Sequence, residues 1–288
     1  MKTGINLLLW TGNPTDAHVP LLDTIKQWGF DGVEVPIHHY NEKVYKAYRA
    51  RMDTLGLGAT ATTVMPPAAN PISPDAAVRA KGVEHLTRAL DMCAILGCEV
   101  LAGPLYAPVG YIAGRERTQD EWNWATEVLS KAAAKAESVG IDLAIEPLNR
   151  FETYFLNTLA DTAAMCRALG SPRAKLMIDT FHANIEEKDL FEAYTSVGHL
   201  VAHIHISEND RGVPGTGHTD YELLFRALKR LGYNRYLVIE SFSSTVPEIA
   251  SAASIWRAVS PSKEAVAVEG LAYVRKTWTQ VVGAVPVA

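Results

Sequence analysis

The sequence predicts an α/β fold, a single (β/α)8 barrel occupying residues 1–288. Three features lead there. A helix-ending mark, a bulky residue followed by glycine, recurs at Trp28-Gly29, Leu55-Gly56, Leu96-Gly97, Val139-Gly140, Leu169-Gly170, Val197-Gly198 and Leu231-Gly232. An apolar β-type run follows each mark, and one more run precedes the first helix, which makes eight strands. The chain, at 288 residues, has no linker or low-complexity tract to divide it. An open doubly wound sheet would use the same alternation, but eight strands in strict βα order favour the closed form.

The elements follow in order. The run Gly4–Trp10 is the first strand, and Leu21, Leu22, Ile25 and Trp28 then recur at helical spacing. Glycine just past a helix end adopts the left-handed conformation at little cost, so Gly29 hands over to the strand Gly32–Pro36, and Gly56 to Leu57–Thr63. Pro66-Pro67-Ala-Ala-Asn-Pro71 reads as a loop. Ser73 precedes a helix-opening Pro74, and Leu86, Leu90, Cys93 and Leu96 give that helix its apolar stripe before the strand Cys98–Gly103. Thr118 and Glu121 fit a capping box at the next helix, whose Gly140 leads to Ile141–Pro147. Lys175–Asp179 and Leu200–Ser207 are the sixth and seventh strands; Thr219 and Glu222 suggest another capping box, and Tyr236–Ser241 is the eighth strand. Stretches such as Leu143-Ala-Ile are nearly continuous in apolar residues, as in a parallel sheet covered on both faces.

Composition narrows the class of function. Apolar residues are 48% and charged residues 20%, which suits a sizeable core and excludes disorder. The net charge of -5, with no basic run, argues against nucleic acid as a partner. No apolar stretch is long enough to span a bilayer, and the N-terminus carries no basic region followed by an apolar segment and cleavage site, so a cytoplasmic location is expected. Cys93, Cys98 and Cys166 form neither a disulfide framework nor a CxxC pair, and are expected to be small buried apolar residues.

Barrels of this kind place their working residues at the C-terminal ends of strands. Here the fifth strand ends on Glu146, the sixth on Asp179, the seventh on His203 and His205, and the eighth on Glu240. A carboxylate at the end of an apolar strand is costly to desolvate unless a cation or hydrogen bonds compensate it. Three carboxylates and an imidazole at one mouth therefore invite a divalent metal. Oxygen-rich ligands with one nitrogen suit Mn²⁺, with Co²⁺ or Mg²⁺ as alternatives, and the lack of thiolates argues against structural Zn²⁺. His203 and His205 share a strand face; His205 lies nearer the mouth and is taken as the ligand.

Four segments, Ile145-Glu146-Pro-Leu-Asn-Arg-Phe-Glu152, Met177-Ile-Asp-Thr-Phe-His182-Ala-Asn-Ile-Glu-Glu187, His205-Ile-Ser-Glu-Asn-Asp-Arg211 and Ile239-Glu240-Ser-Phe242, resemble the signatures of the ketose 3-epimerases. These are the D-tagatose and D-allulose (psicose) 3-epimerases of the xylose-isomerase-like barrels. The intervals between the four ligands, 33, 26 and 35 residues, are similar to the family's. The resemblance implies a metal held by Glu146, Asp179, His205 and Glu240, a substrate gripped near C1 to C3 by Glu152, His182 and Arg211, and a homodimer or homotetramer. The loops Val64–Ser73 and Gly103–Arg117 depart from the family pattern and are expected to shape the pocket for the far end of the sugar.

Epimerisation beside a ketone removes a proton from a weak carbon acid and returns it on the opposite face, which two bases flanking an enediolate accomplish. Glu146 and Glu240 are the expected pair. His182 and Arg211 are donors for oxygens that gain charge, and Glu152 is an acceptor for a hydroxyl. Trp10, at the end of the first run, is expected to wall the sugar pocket. His38 and His39 follow the second strand toward the mouth, though a solvated loop pair is the plainer reading; Trp122 and Trp124 read as packing residues. The loop Gly212-Val-Pro-Gly-Thr-Gly217 lacks the phosphate-binding pattern GxxxxGK[ST]. The substrate expected is a free ketose, and an aldose–ketose or sugar-phosphate isomerase on the same scaffold is the alternative.

Overall fold

The computed structural model describes residues 1–283, whose eight parallel strands close on themselves. They are β1 (Lys2–Asn6), β2 (Gly32–Pro36), β3 (Gly58–Thr62), β4 (Val100–Gly103), β5 (Asp142–Ile145), β6 (Ala174–Asp179), β7 (Val201–Ile206) and β8 (Tyr236–Ile239). Each pairs with the next, and β8 returns to β1 with Ile5 opposite Ile239, so the open-sheet alternative is excluded. Around them lie α1 (Leu21–Trp28), α2 (Glu42–Leu55), α3 (Ala76–Leu96), α4 (Gln119–Val139), α5 (Leu159–Leu169), α6 (Thr180–Glu186), α7 (Leu190–Ser196), α8 (Tyr221–Leu231), α9 (Pro247–Ala252) and α10 (Lys263–Gly283).

Six of the seven glycine marks are left-handed helix caps, at Gly29, Gly56, Gly97, Gly140, Gly170 and Gly232. The seventh differs: α7 ends at Ser196, and Gly198 opens a 3₁₀ turn instead. The capping box of Thr118 and Glu121 is present at α4. Two other helix starts shift by one or two residues, because an aspartate takes the cap. Asp75 rather than Ser73 caps α3, and Asp220 rather than Thr219 caps α8. The first strand is also shorter than expected. The Asn6 side chain accepts from the Leu8 amide, which curls Leu7–Leu9 into a 3₁₀ turn and carries Trp10 off the strand line.

The core lies between barrel and helices, where Leu22, Ile25, Leu86, Leu90, Leu129 and Leu228 are fully buried on their helices' inner faces. Burying such a side chain contributes about 1.5–3 kcal/mol, and Leu90→Ala would cost about 2–5 kcal/mol. Inside the barrel, Val100, Ala102, Ala144, Met177 and Ala202 form a separate small cluster. The Tyr236 ring closes the N-terminal end: a Cβ at Gly32 or Gly58 would collide with it. All three cysteines are buried and free. No helix among the described residues is long and apolar enough to cross a membrane.

Candidate active site

Strand register sets the innermost layer. Asn6 on β1, Glu34 on β2 and Thr60 on β3 are Cα partners, so their side chains meet at one level. Glu34 is wholly buried and accepts from Asn6 Nδ2 at 2.9 Å and Thr60 Oγ1 at 3.1 Å. Its two oxygens each lie 2.6 Å from an imidazole, Oε1 from His205 Nε2 and Oε2 from His203 Nε2. Burial alone would raise its pKa, but the fields of His205 and His203 outweigh it and hold the carboxyl well below the usual range.

Above that layer, His205 stands opposite Asp179 in the β6–β7 register. His205 donates through Nε2 to Glu34, and although burial opposes it, the carboxylates of Glu240 and Glu34 push the ring well above the ordinary imidazole pKa, so without a cation a second proton is favoured on Nδ1. His205 Nδ1 is buried without a hydrogen-bond partner and faces Glu240 Oε1 at 3.2 Å and Asp179 Oδ2 at 3.7 Å. A buried nitrogen facing two carboxylates calls for positive charge between them, which a proton or a cation can supply, and imidazole with carboxylates is the donor chemistry of a divalent metal site. Glu146, Asp179, Glu240 and Glu34 are all buried around this point, with one guanidinium, Arg211, among them. The residues therefore fit a divalent ion. The four expected ligands fall into two groups that share Asp179, one with His205 and Glu240 and one with Glu146 and His182.

Arg211 is held from every side. Its Nη1 donates to Asp179 at 3.0 Å, Ser207 Oγ at 2.8 Å and Glu240 Oε2 at 2.8 Å. Phe181 and Phe242 lie against the guanidinium, 4.0 and 4.9 Å from ring centroid to Cζ. Its backbone is left-handed, φ +63°, and is fixed by Arg211 N–H donating to Glu208 O and by Ser241 Oγ donating to its carbonyl. Glu208, fully buried, accepts from the amides of Asn209, Gly215 and Thr219 and so pins the long loop after β7.

His182 presents a defined tautomer. The Asn149 main-chain N–H donates to Nδ1 at 3.0 Å, which leaves the hydrogen on Nε2. Burial lowers its pKa to about 4, so the ring is neutral. Nε2–H lies 3.7 Å from Glu146 Oε1 and 3.3 Å from Arg211 Nη2, itself a donor. Burial, and then the neighbouring Asp179, push the Glu146 carboxyl well above the usual range. Glu152 accepts from Asn149 Nδ2 at 2.8 Å at the rim.

Glu146, Glu152, His182, Arg211 and Glu240 all line one cavity, which the departing loops wall with Val64, Pro104 and Val109. Trp10 is not in its lining; Leu8 occupies the wall on that side, and Trp10 stacks on Trp28 with centroids 6.1 Å apart. This corrects the expected pocket role, and the cause is the 3₁₀ turn after Asn6. Trp122 and Trp124 pack under Arg117 and Arg79. Glu34, Asn6 and Glu208 are site residues that the strand-end reading passes over. Glu34 carries a legible signal, a charge between Val33 and Val35 in an otherwise apolar strand.

Comparison with known proteins identifies the family. The profile of the xylose isomerase-like TIM barrel family matches residues 22–277. The probable ketose 3-epimerase of Synechocystis sp. is 32% identical over 278 residues, covering 96% of this chain and 97% of that protein. The D-psicose 3-epimerase of Agrobacterium fabrum is 34% identical over 271 residues, covering 90% and 91%. A solved structure of an L-ribulose 3-epimerase superposes with a TM-score of 0.93 at 31% identity, covering 98% of this chain and 96% of that one. With closed barrel, site and relatives in agreement, the chain belongs to the xylose isomerase-like TIM barrel family and, within it, to the ketose 3-epimerases, isomerases that act on carbohydrates.

Proposed function

We propose that this protein is a divalent-metal-dependent 3-epimerase of free ketoses, interconverting pairs such as D-fructose and D-allulose or D-tagatose and D-sorbose through a C3 enediolate. The observation that carries this reading is the meeting of two donors, His182 Nε2–H and Arg211 Nη2, 3.3 Å apart beside the Glu146 carboxyl. Two buried donors converge where an electron-rich oxygen would satisfy both, and a group able to hold a proton stands next to them.

Glu146, Asp179, His205 and Glu240 would hold the ion, Mn²⁺ by preference with Co²⁺ or Mg²⁺ as alternatives. When bound, such an ion supplies electrophilic stabilisation of charge developing on the carbonyl and adjacent hydroxyl oxygens. The remaining work falls to side chains. Glu240, which accepts from Arg211 and Asn6, suits the base that takes the C3 proton. Glu146, whose surroundings favour the protonated form, suits the acid that returns one; the roles exchange in the reverse direction. Glu152 accepts from a sugar hydroxyl at the rim, and Asn149 keeps His182 a donor. Assembly as a homodimer or homotetramer belongs to the same reading, supported by the exposed aromatic rings of Phe151 and Trp256.

The test is chelation followed by reconstitution, with product analysis on ketohexoses and ketopentoses. Activity is expected to vanish with the metal and return with Mn²⁺ or Co²⁺, and Tm to rise on reloading, because the ion binds the folded site alone. Full turnover by metal-free protein would overturn metal dependence. Aldose products in place of C3 epimers would make the protein an aldose–ketose isomerase.

A further inference from the structure

His38 and His39 are neighbours in sequence with opposite fates. His39 is satisfied at both nitrogens: Nε2–H donates to the Pro14 carbonyl at 2.8 Å, and Nδ1 accepts from the Asn41 amide at 3.2 Å. Its ring also stacks on Tyr45. It is a loop staple. His38 uses only Nδ1, 2.8 Å from the Gly12 carbonyl. A carbonyl can only accept, so Nδ1 carries the hydrogen and Nε2 an unshared pair. Among the described residues no group bonds to that pair, while the ring remains accessible and forms part of the cavity wall.

The place of His38 in that wall matters. A Cβ on Gly12 would press against Ile249 and come within 3.9 Å of His38 Nδ1, so Gly12 packs against the two residues, His38 and Ile249, that line the cavity there. No ion pair joins His38 to any carboxylate of the reacting cluster among the described residues. Of the lining side chains outside that cluster, only His38 and Thr62 carry a polar group; Leu8, Val64, Val109 and Ile249 are apolar. Enclosure in the concave wall keeps His38 below the ordinary imidazole pKa, so its acceptor persists at neutral pH.

We infer that His38 Nε2 accepts a hydrogen bond from a hydroxyl on the ketose chain end remote from C3, and so sets the preference for longer ketoses over truncated ones. The inference rests on the epimerase reading, which fixes the reacting end at Glu146 and Glu240 and leaves the far end for this corner. A polar group placed against one hydroxyl discriminates against analogues lacking it, because the contact is made with one sugar and absent with the other.

The test exploits the two amides that imitate one imidazole nitrogen each. His38→Asn places an amide near Nδ1, keeping a donor for Gly12 but removing the distal acceptor. His38→Gln reaches the Nε2 position and keeps an acceptor there. Each variant is assayed on D-allulose, a ketohexose, and on erythrulose, a ketotetrose without the C5 and C6 hydroxyls. Sugar binding is measured by calorimetry in parallel. The Asn variant is expected to lose about 5–10-fold in kcat/KM on D-allulose while staying within about twofold on erythrulose. The Gln variant is expected to keep the wild-type ratio. Equal losses on both sugars, or a ratio kept by Asn and lost by Gln, would show that His38 only supports the Gly12 loop. Binding of D-allulose without epimerisation by the wild type would refute the epimerase reading alone, since the ratio of dissociation constants still reads the contact. Failure of the wild type to bind D-allulose would overturn the contact too.

Discussion

Glu34 Oε1 and His205 Nε2 are 2.6 Å apart at the centre of the barrel, and this contact decides which nitrogen His205 turns toward Asp179 and Glu240. In Glu34→Gln the amide NH₂ opposes one of the two imidazole N–H groups, so the tautomers at His203 and His205 can no longer both be held. Partners that orient a metal-binding histidine are commonly worth about 10–100-fold in metal affinity. Calorimetric titration with Mn²⁺ should show a loss of that size, and unchanged affinity would remove Glu34 from the ligand-orienting role.

Glu146→Gln and Glu240→Gln should each lower kcat by about 10²–10⁴-fold, the usual worth of a general acid or base. Metal content is measured alongside, because both are proposed ligands. Turnover in deuterated solvent should place deuterium at C3. A metal-loaded variant with near-normal epimerisation would exclude that glutamate from proton transfer.

Free ketoses should be turned over with much higher kcat/KM than their terminal phosphates. Barrels that bind phosphate collect it after the seventh and eighth strands. Here the one cation between Ser207 and Gly217, Arg211, is bonded to Asp179 and Glu240, and residues 241–247 contain no Lys or Arg. Paired kinetics under identical metal loading would decide, and a preference for the phosphate would reassign the substrate class.

Glu121 accepts from Arg115 through both oxygens at 2.8 and 3.0 Å, from the Thr118 amide at 2.7 Å and from the Tyr154 hydroxyl at 2.8 Å. The Arg115 bonds, against the opposing effect of burial, lower its pKa from 4.5 to about 2. A depressed folded-state pKa gives stability that is complete above the unfolded value and is lost as pH falls through the folded one. Glu121→Gln should therefore cost about 1–3 kcal/mol at pH 7, and the Tm gap between variant and parent should close between pH 4.5 and about 2. A gap constant across that window would show that the ionised form adds nothing.

Strand order and most helix ends were legible because each rests on a local rule: a glycine that tolerates positive φ, a capping side chain, an apolar run. The failures came where two local signals competed. Asn6 caps a turn inside what reads as one continuous apolar run, and that single side chain removes Trp10 from the pocket wall. Asp75 and Asp220 displace Ser73 and Thr219 as caps. At the site, Glu146, Asp179, His205 and Glu240 are legible because each stands at, or one residue from, the C-terminal end of a strand. Glu34 and Glu208 act through partners that are distant in the chain or that lie on backbone amides, and such partners become visible only when the barrel closes.

The left-handed backbone at Arg211 carries a consequence for how this sequence can drift. A non-glycine residue in a sparsely populated conformation costs on the order of 1–3 kcal/mol, which glycine would recover at once. The same step would delete the guanidinium that touches Asp179, Ser207 and Glu240 and leave two buried carboxylates without it, and breaking a buried ion pair commonly costs about 3–5 kcal/mol. Position 211 is thus a point where backbone strain is retained because the buried ion pairs outweigh it, so a library ranked by melting temperature should keep arginine there despite its conformation.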